Sequence, residues 1–176
     1  MVWFLPVIGY LLSLIGVIFY VVSTATNHWY ERTVFFSAEN LHVVTSEGLW
    51  KIYTEYVEDG VEESVTLGMK GLKGYIHLSR ACMIIACIVG IANLILAFVA
   101  YARKADPVWV QMAGLTLCLT VGSVLTATLW YGAEVEQYSR MSDTAAFKFG
   151  YSIILAWVSI PLVVIGGALL TIKYEN

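Results

Sequence analysis

The sequence predicts an α-helical membrane protein, a bundle of four transmembrane helices carrying a small antiparallel β-sheet outside the bilayer. Three observations predict it: the composition, four long apolar stretches without charge, and one polar loop rich in β-branched and aromatic residues. Of 176 residues, 59% are hydrophobic and 13% charged, whereas soluble domains carry roughly 45–50% and 25%. The mean hydropathy is +0.75.

A spanning helix needs about 20 apolar residues. Residues 3–23, 80–102, 107–133 and 149–172 each reach that length, the second free of charge once past Arg80. A soluble bundle would keep a polar face on each helix, whereas residues 84–92 and 153–170 are apolar nearly all round. The first stretch lacks a basic leader and outruns a signal-peptide core, so it reads as a retained helix. Four spans leave residues 27–79 and 134–148 as loops on the side opposite the termini. Arg103 and Lys104 crowd the short link after the second span, while Arg32, Lys51, Lys70 and Lys73 are diluted among acids in loop 27–79. The positive-inside rule therefore places both termini in the cytoplasm. The plasma membrane is the expected location, with granule or endosomal membranes as the alternatives.

The outer loop reads as four short strands, residues 30–36, 41–45, 49–57 and 61–67. Asp59-Gly60 sits between the last two, and a two-residue type I′ turn needs that pair because both central residues take positive φ. Such a turn sets Tyr53 opposite Thr66, Thr54 opposite Val65 and Glu55 opposite Ser64, with Ile52, Thr54 and Tyr56 on the other face. Gly68, Gly71 and Gly74 then read as a linker into the second span. Trp29, Trp50, Tyr75, Trp130 and Tyr131 fall near span ends, where amphipathic rings favour the headgroup layer. Cys82, Cys87 and Cys118 all fall inside spans, where cysteine behaves as a small hydrophobe. No Asn-x-Ser/Thr acceptor occurs.

Trp29, then Gly48-Leu49-Trp50, then Arg80-Ala81 at the start of the second span, resemble the signature of the claudin, peripheral myelin protein and epithelial membrane protein superfamily. The resemblance covers almost the whole chain, since residues 23–29 close the first span and residues 151–161 enter the fourth as in that family. It implies a left-handed four-helix bundle topped by an extracellular antiparallel sheet, docked through Trp29, Gly48, Leu49 and Trp50, with Arg80 pairing to loop carbonyls. Family members usually place two bridged cysteines after the Gly-Leu-Trp segment, and here the first position is Tyr53. Without that bridge about 2–4 kcal/mol of constraint falls to the turn and to cross-strand packing. Gly74-Tyr75-Ile76-His77 is similar to the granule-protein branch, and Asn27-His28-Trp29 with Gly48-Leu49-Trp50 to the lens-fibre branch, which leaves the branch open. Tyr174-Glu175-Asn176 differs from the Tyr-Val ending of tight-junction members and argues against that narrow class.

His28, His42 and His77 lack metal-ligand spacing, and no nucleotide-binding, serine-hydrolase or zinc-protease motif appears, so no cofactor, metal, nucleic acid or small-molecule substrate is expected and the chain reads as a non-enzyme. Its expected partners are the lipid bilayer, further copies of itself and other membrane proteins. The leading reading is a structural, adhesive protein whose sheet makes lateral or membrane-to-membrane contacts through an apolar segment of Phe35, Phe36, Leu41, Val43 and Val44, by edge pairing or lateral packing. Eight acids against four bases in loop 27–79 motivate a cation-favouring pathway as an alternative. The resemblance also extends to calcium-channel gamma subunits, which implies an auxiliary or trafficking subunit as a further alternative. Asn93, Ser123, Thr126 and Ser159 with the helix glycines read as packing and interhelical bonding.

Overall fold

Four helices in the computed structural model are long and apolar enough to cross a bilayer. The structure describes residues 4–36, 41–58, 61–68, 74–103, 106–140 and 145–171. In chain order these form α1 (Leu5–Ala25), β1 (Tyr30–Phe36), β2 (Leu41–Glu47), β3 (Lys51–Glu58), β4 (Val61–Gly68), α2 (Gly74–Ala102), α3 (Pro107–Arg140), β5 (Ala145–Phe149) and α4 (Tyr151–Thr171).

Helix faces follow from residue size. The buried positions of α2 are Ile76, Ser79, Met83, Ala86, Gly90, Asn93, Leu94, Ala97 and Ala100. Apart from Leu94 they alternate steps of three and four, the spacing that keeps a seam facing its partner in left-handed packing. Helix α1 repeats the pattern with Pro6, Gly9, Ser13, Gly16, Tyr20 and Ser23. Lipid tails are as apolar as leucine, so close packing of small residues has to drive association. Helix α1 packs chiefly on α4, and α2 on α3. At the α1–α4 crossing a Cβ on Gly9 would lie 2.7 Å from the Gly166 carbonyl oxygen, and one on Gly166 would lie 2.6 Å from that of Gly9. Only glycine lets these backbones meet.

Polar groups inside the bundle are mostly satisfied within it. Thr120, Thr126 and Thr128 each donate to the carbonyl four residues back. Asn93 is 3% exposed, and its Oδ1 accepts a bond from Thr116 Oγ1 at 3.1 Å, tying α2 to α3. That is the packing role read from the sequence.

The sheet has five strands in the order β4-β3-β2-β1-β5, every neighbouring pair antiparallel. Tyr53 pairs with Thr66, Thr54 with Val65 and Glu55 with Ser64, the register derived from the turn; Asp59 and Gly60 lie outside the described residues. The structure holds no disulfide among its described residues, and Cys82, Cys87 and Cys118 are free. Because Tyr53 and Thr66 are directly opposed, the double variant Tyr53→Cys/Thr66→Cys is expected to close a loop of about 14 residues spontaneously. The bridge should add about 3 kcal/mol to sheet stability. A mobility shift on non-reducing gels and a reductant-sensitive rise in melting temperature check it.

Three expectations change. The second outer connection, expected as a loop over residues 134–148, is the top of α3 followed by β5. Hydropathy falls at Glu134, yet the helix runs on to Arg140, since Glu134, Glu136 and Gln137 are good helix formers. At 1.5 Å per residue its 34 residues span about 50 Å, well beyond a hydrocarbon core of about 30 Å. The second span likewise starts at Gly74, so Arg80 lies more than a turn inside α2. Finally, β1 and β2 are interior strands, so Val43 and Val44 of the expected contact segment are paired on both sides, and edge pairing there is confined to Phe35, Phe36 and Leu41. The other ladder positions are taken by neighbours, while Phe35 and Phe36 run past the β5 register and Leu41 past the β3 register. The free edges among the described residues belong to β4 and β5.

Candidate functional site: the sheet–bundle junction

A helix leaves its last four carbonyls without intrahelical partners. At the end of α1 the connector and the sheet supply them. The indole N–H of Trp29 donates to Ser23 O at 2.8 Å, the indole N–H of Trp50 donates to Thr24 O at 2.6 Å, and Thr26 caps Val22 O with its backbone N–H at 3.0 Å and its hydroxyl at 2.8 Å. The two signature tryptophans therefore act as donors to one helix terminus.

The same connector satisfies the opposite polarity at α4, whose first N–H groups are orphans. Trp29 O accepts from Gly150 N, and His28 O from Ser152 N, both at 3.0 Å. The Ser152 hydroxyl contacts Thr26 Oγ1 at 2.7 Å, and Ser23 Oγ donates to Ser152 O at 2.7 Å. His28 stacks on Tyr151 with ring centroids 4.9 Å apart. Gly150 is obligatory here, because a Cβ would lie 1.9 Å from His28 O.

Trp29 itself is fully buried, edge-on to Tyr131 at 5.1 Å, and its backbone N–H donates to Glu47 O at 2.9 Å. Headgroup anchoring, expected for Trp29, Tyr75 and Tyr131, gives way to burial. Tyr131 is likewise inaccessible, and Tyr75 packs against it at 5.8 Å, partly buried. These rings sit beneath the sheet, which covers the bundle where lipid headgroups would otherwise lie. Trp50 and Trp130 remain exposed.

Gly48, Leu49 and Trp50 form the turn from β2 to β3. A Cβ on Gly48 would lie 2.3 Å from Asn27 Cα, Gly48 N donates to Lys51 O at 3.0 Å, and Leu49 is fully buried. Arg80 reaches up from α2, donates through Nε to Leu49 O and lays its guanidinium 5.0 Å from the Trp50 ring. A charge-assisted bond and a cation–π contact thus converge on one turn. Tyr30, at the root of β1, has its phenol pushed up to about 12 by burial and by the nearby Glu47 carboxylate, so it stays neutral at physiological pH.

Trp29, Gly48, Leu49, Trp50 and Arg80 are thus gathered into one junction. Val43 and Val44 lie partly buried on β2, away from it; the side chains of Phe35, Phe36 and Leu41 lie outside the described set. Ser23, Thr24, Tyr131, Gly150 and Ser152 complete the junction, a docking role that the sequence reading assigns to none of them. A serine beside the start of an apolar helix was the available signal. Among the described residues no cluster of His, Cys, Asp or Glu forms that could hold a metal ion.

These features define a class: a multi-pass membrane protein whose outer sheet is bonded to its helix ends. The description "PMP-22/EMP/MP20/Claudin family" belongs to the family model that matches residues 3–170, and the chain belongs to that family. Claudin-19 of Homo sapiens is similar, 29% identical over 94% of this chain and 79% of its own length. Claudin-11 of Homo sapiens is 28% identical over 94% and 82%, and claudin-1 of Rattus norvegicus 24% over 95% and 84%.

Proposed function

We propose that the chain is a non-enzymatic, junction-type adhesion protein of the plasma membrane. Its termini are cytoplasmic and its sheet meets further copies of itself in the same or an apposed membrane, while Trp29, Gly48, Leu49, Trp50 and Arg80 hold the sheet in the orientation that contact needs. The observation that carries this is an apolar patch beside a free strand edge. Tyr56, Val65 and Leu67 share one face of β3–β4 by register and are 38%, 41% and 50% exposed, although they lie in the sheet and outside the spans. An unpaired edge next to exposed apolar side chains favours association. Its membership of the PMP-22/EMP/MP20/Claudin family, and its similarity to claudins, support the same reading.

Purified protein reconstituted into liposomes tests it. Crosslinked oligomers and vesicle clustering are expected, both reduced by Val65→Lys with Leu67→Lys. A monomer that never clusters vesicles would overturn the reading. A second reading, a cation-favouring pathway, draws on exposed Glu55 and Glu63 on the same hairpin. Conductance across an expressing monolayer, with and without Glu55→Gln and Glu63→Gln, separates the two.

A further inference from the structure

Tyr30, Tyr53, Tyr56 and Tyr75 follow α1 in the chain, and the fold treats them differently. Tyr30 is buried, Tyr53 and Tyr75 are partly buried, and Tyr56 is exposed. Strand β3 rises from the turn of residues 48–50, which the junction holds at the end of α1. At about 3.3 Å per residue it carries Tyr56 about 20 Å up the sheet. Headgroups add only about 5–8 Å beyond the hydrocarbon core, so this phenol stands in water.

Charge singles out the same residue. Residues 52–69 include five acids, Glu55, Glu58, Asp59, Glu62 and Glu63, and no lysine or arginine. Glu55 immediately precedes Tyr56, and Glu63 is its partner on β4. Glu55 and Glu63 are exposed on opposite faces of the hairpin, and among the described residues no cluster of His, Cys, Asp or Glu could hold a metal ion. Their field is therefore spread along the strand rather than focused on a cation, which suits a protein surface of matching positive charge. An enzyme that transfers an anionic group to a phenol presents such a surface, because it must hold its anionic donor with arginine and lysine.

We propose that Tyr56 is a sulfation site, modified as the chain passes through the secretory lumen. The inference rests on the reading that the sheet faces away from the cytoplasm. The phenol oxygen attacks the sulfur of a phosphosulfate donor. The sulfur–oxygen bond to the donor's phosphate breaks, its electron pair leaves on that phosphate, and the phenol proton passes to a base of the transferase. The product is a sulfate monoester with one fixed negative charge, on the face that also carries Val65 and Leu67. Burying that charge in a contact is costly, so sulfated and unsulfated copies differ in how readily this patch associates.

The purified full chain in detergent, incubated with a tyrosylprotein sulfotransferase and radiolabelled phosphosulfate donor, tests the site. The wild type is expected to take up one label per chain, Tyr56→Phe to lose it and Tyr53→Phe to keep it. Tyr56→Phe removes only an exposed hydroxyl. Glu55→Gln with Glu58→Gln should slow labelling about tenfold, the lower end of electrostatic steering. An unlabelled wild type, label that survives Tyr56→Phe, or a rate indifferent to the two glutamates would overturn the proposal. Protease added outside intact expressing cells reads the sidedness separately: cleavage of the outer segment supports the reading on which the site rests, and a protected segment overturns that reading together with the site.

Discussion

Replacing Trp29 with alanine is expected to undock the sheet while leaving the helices in the membrane. The indole is fully buried, bonds Ser23 O and packs on Tyr131. Truncating a buried tryptophan costs about 3–5 kcal/mol, and here the loss includes the partner of a helix-end carbonyl. The bundle keeps its own packing through α1–α4 and α2–α3. The readout is therefore selective: proteolysis of the outer segment in reconstituted vesicles should rise about 10²–10³-fold, since each 1.4 kcal/mol is a factor of ten in population. Far-UV circular dichroism of the helices should barely change. A variant with wild-type protease resistance would refute the assignment of Trp29 to the junction.

Gly150→Ala is expected to approach the same magnitude by a different route. Its new methyl would occupy the place of His28 O. The connector must withdraw from α4, breaking the bonds from Gly150 N to Trp29 O and from Ser152 N to His28 O. Overpacking costs about 1–3 kcal/mol and each lost bond about 1 more, giving about 3 kcal/mol or above. Thermal unfolding in detergent, followed by tryptophan fluorescence, measures it. Gly132→Ala is the control: a Cβ there has its nearest neighbours 3.8 Å away on the Phe149 ring, so little change is expected.

The parts of this molecule legible in the sequence are those governed by composition and local turn chemistry. Spans announce themselves by the absence of charge, and the β3–β4 register follows from Asp59-Gly60 because a two-residue turn leaves one pairing. Missed features depend on where a helix stops. Glu134 and Glu136 end the third apolar stretch by hydropathy, yet glutamate favours helix almost as well as leucine does, so α3 runs on to Arg140 before β5 (Ala145–Phe149). Because β5 covers β1 along Tyr30–Val34, only Phe35 and Phe36 of that strand border an open side. The junction was half legible: the resemblance supplied Trp29, Trp50 and Arg80, Ser152 offered only a lone serine at a helix start, and Gly150 acts through a backbone N–H and a missing side chain that leave no pattern to read.

The extension of α3 beyond the bilayer has a mechanical consequence. Residues 134–140 raise the helix top by about 10 Å, and β5 follows within a few residues, hydrogen-bonded to β1 along Tyr30–Val34. The sheet is thus braced from α1, α2, α3 and α4 at separate points, with no single tether to swing on. Tension applied to its outer rim therefore passes into the helices as a tilt of the whole body, and the sheet's orientation follows how the bundle stands in its bilayer.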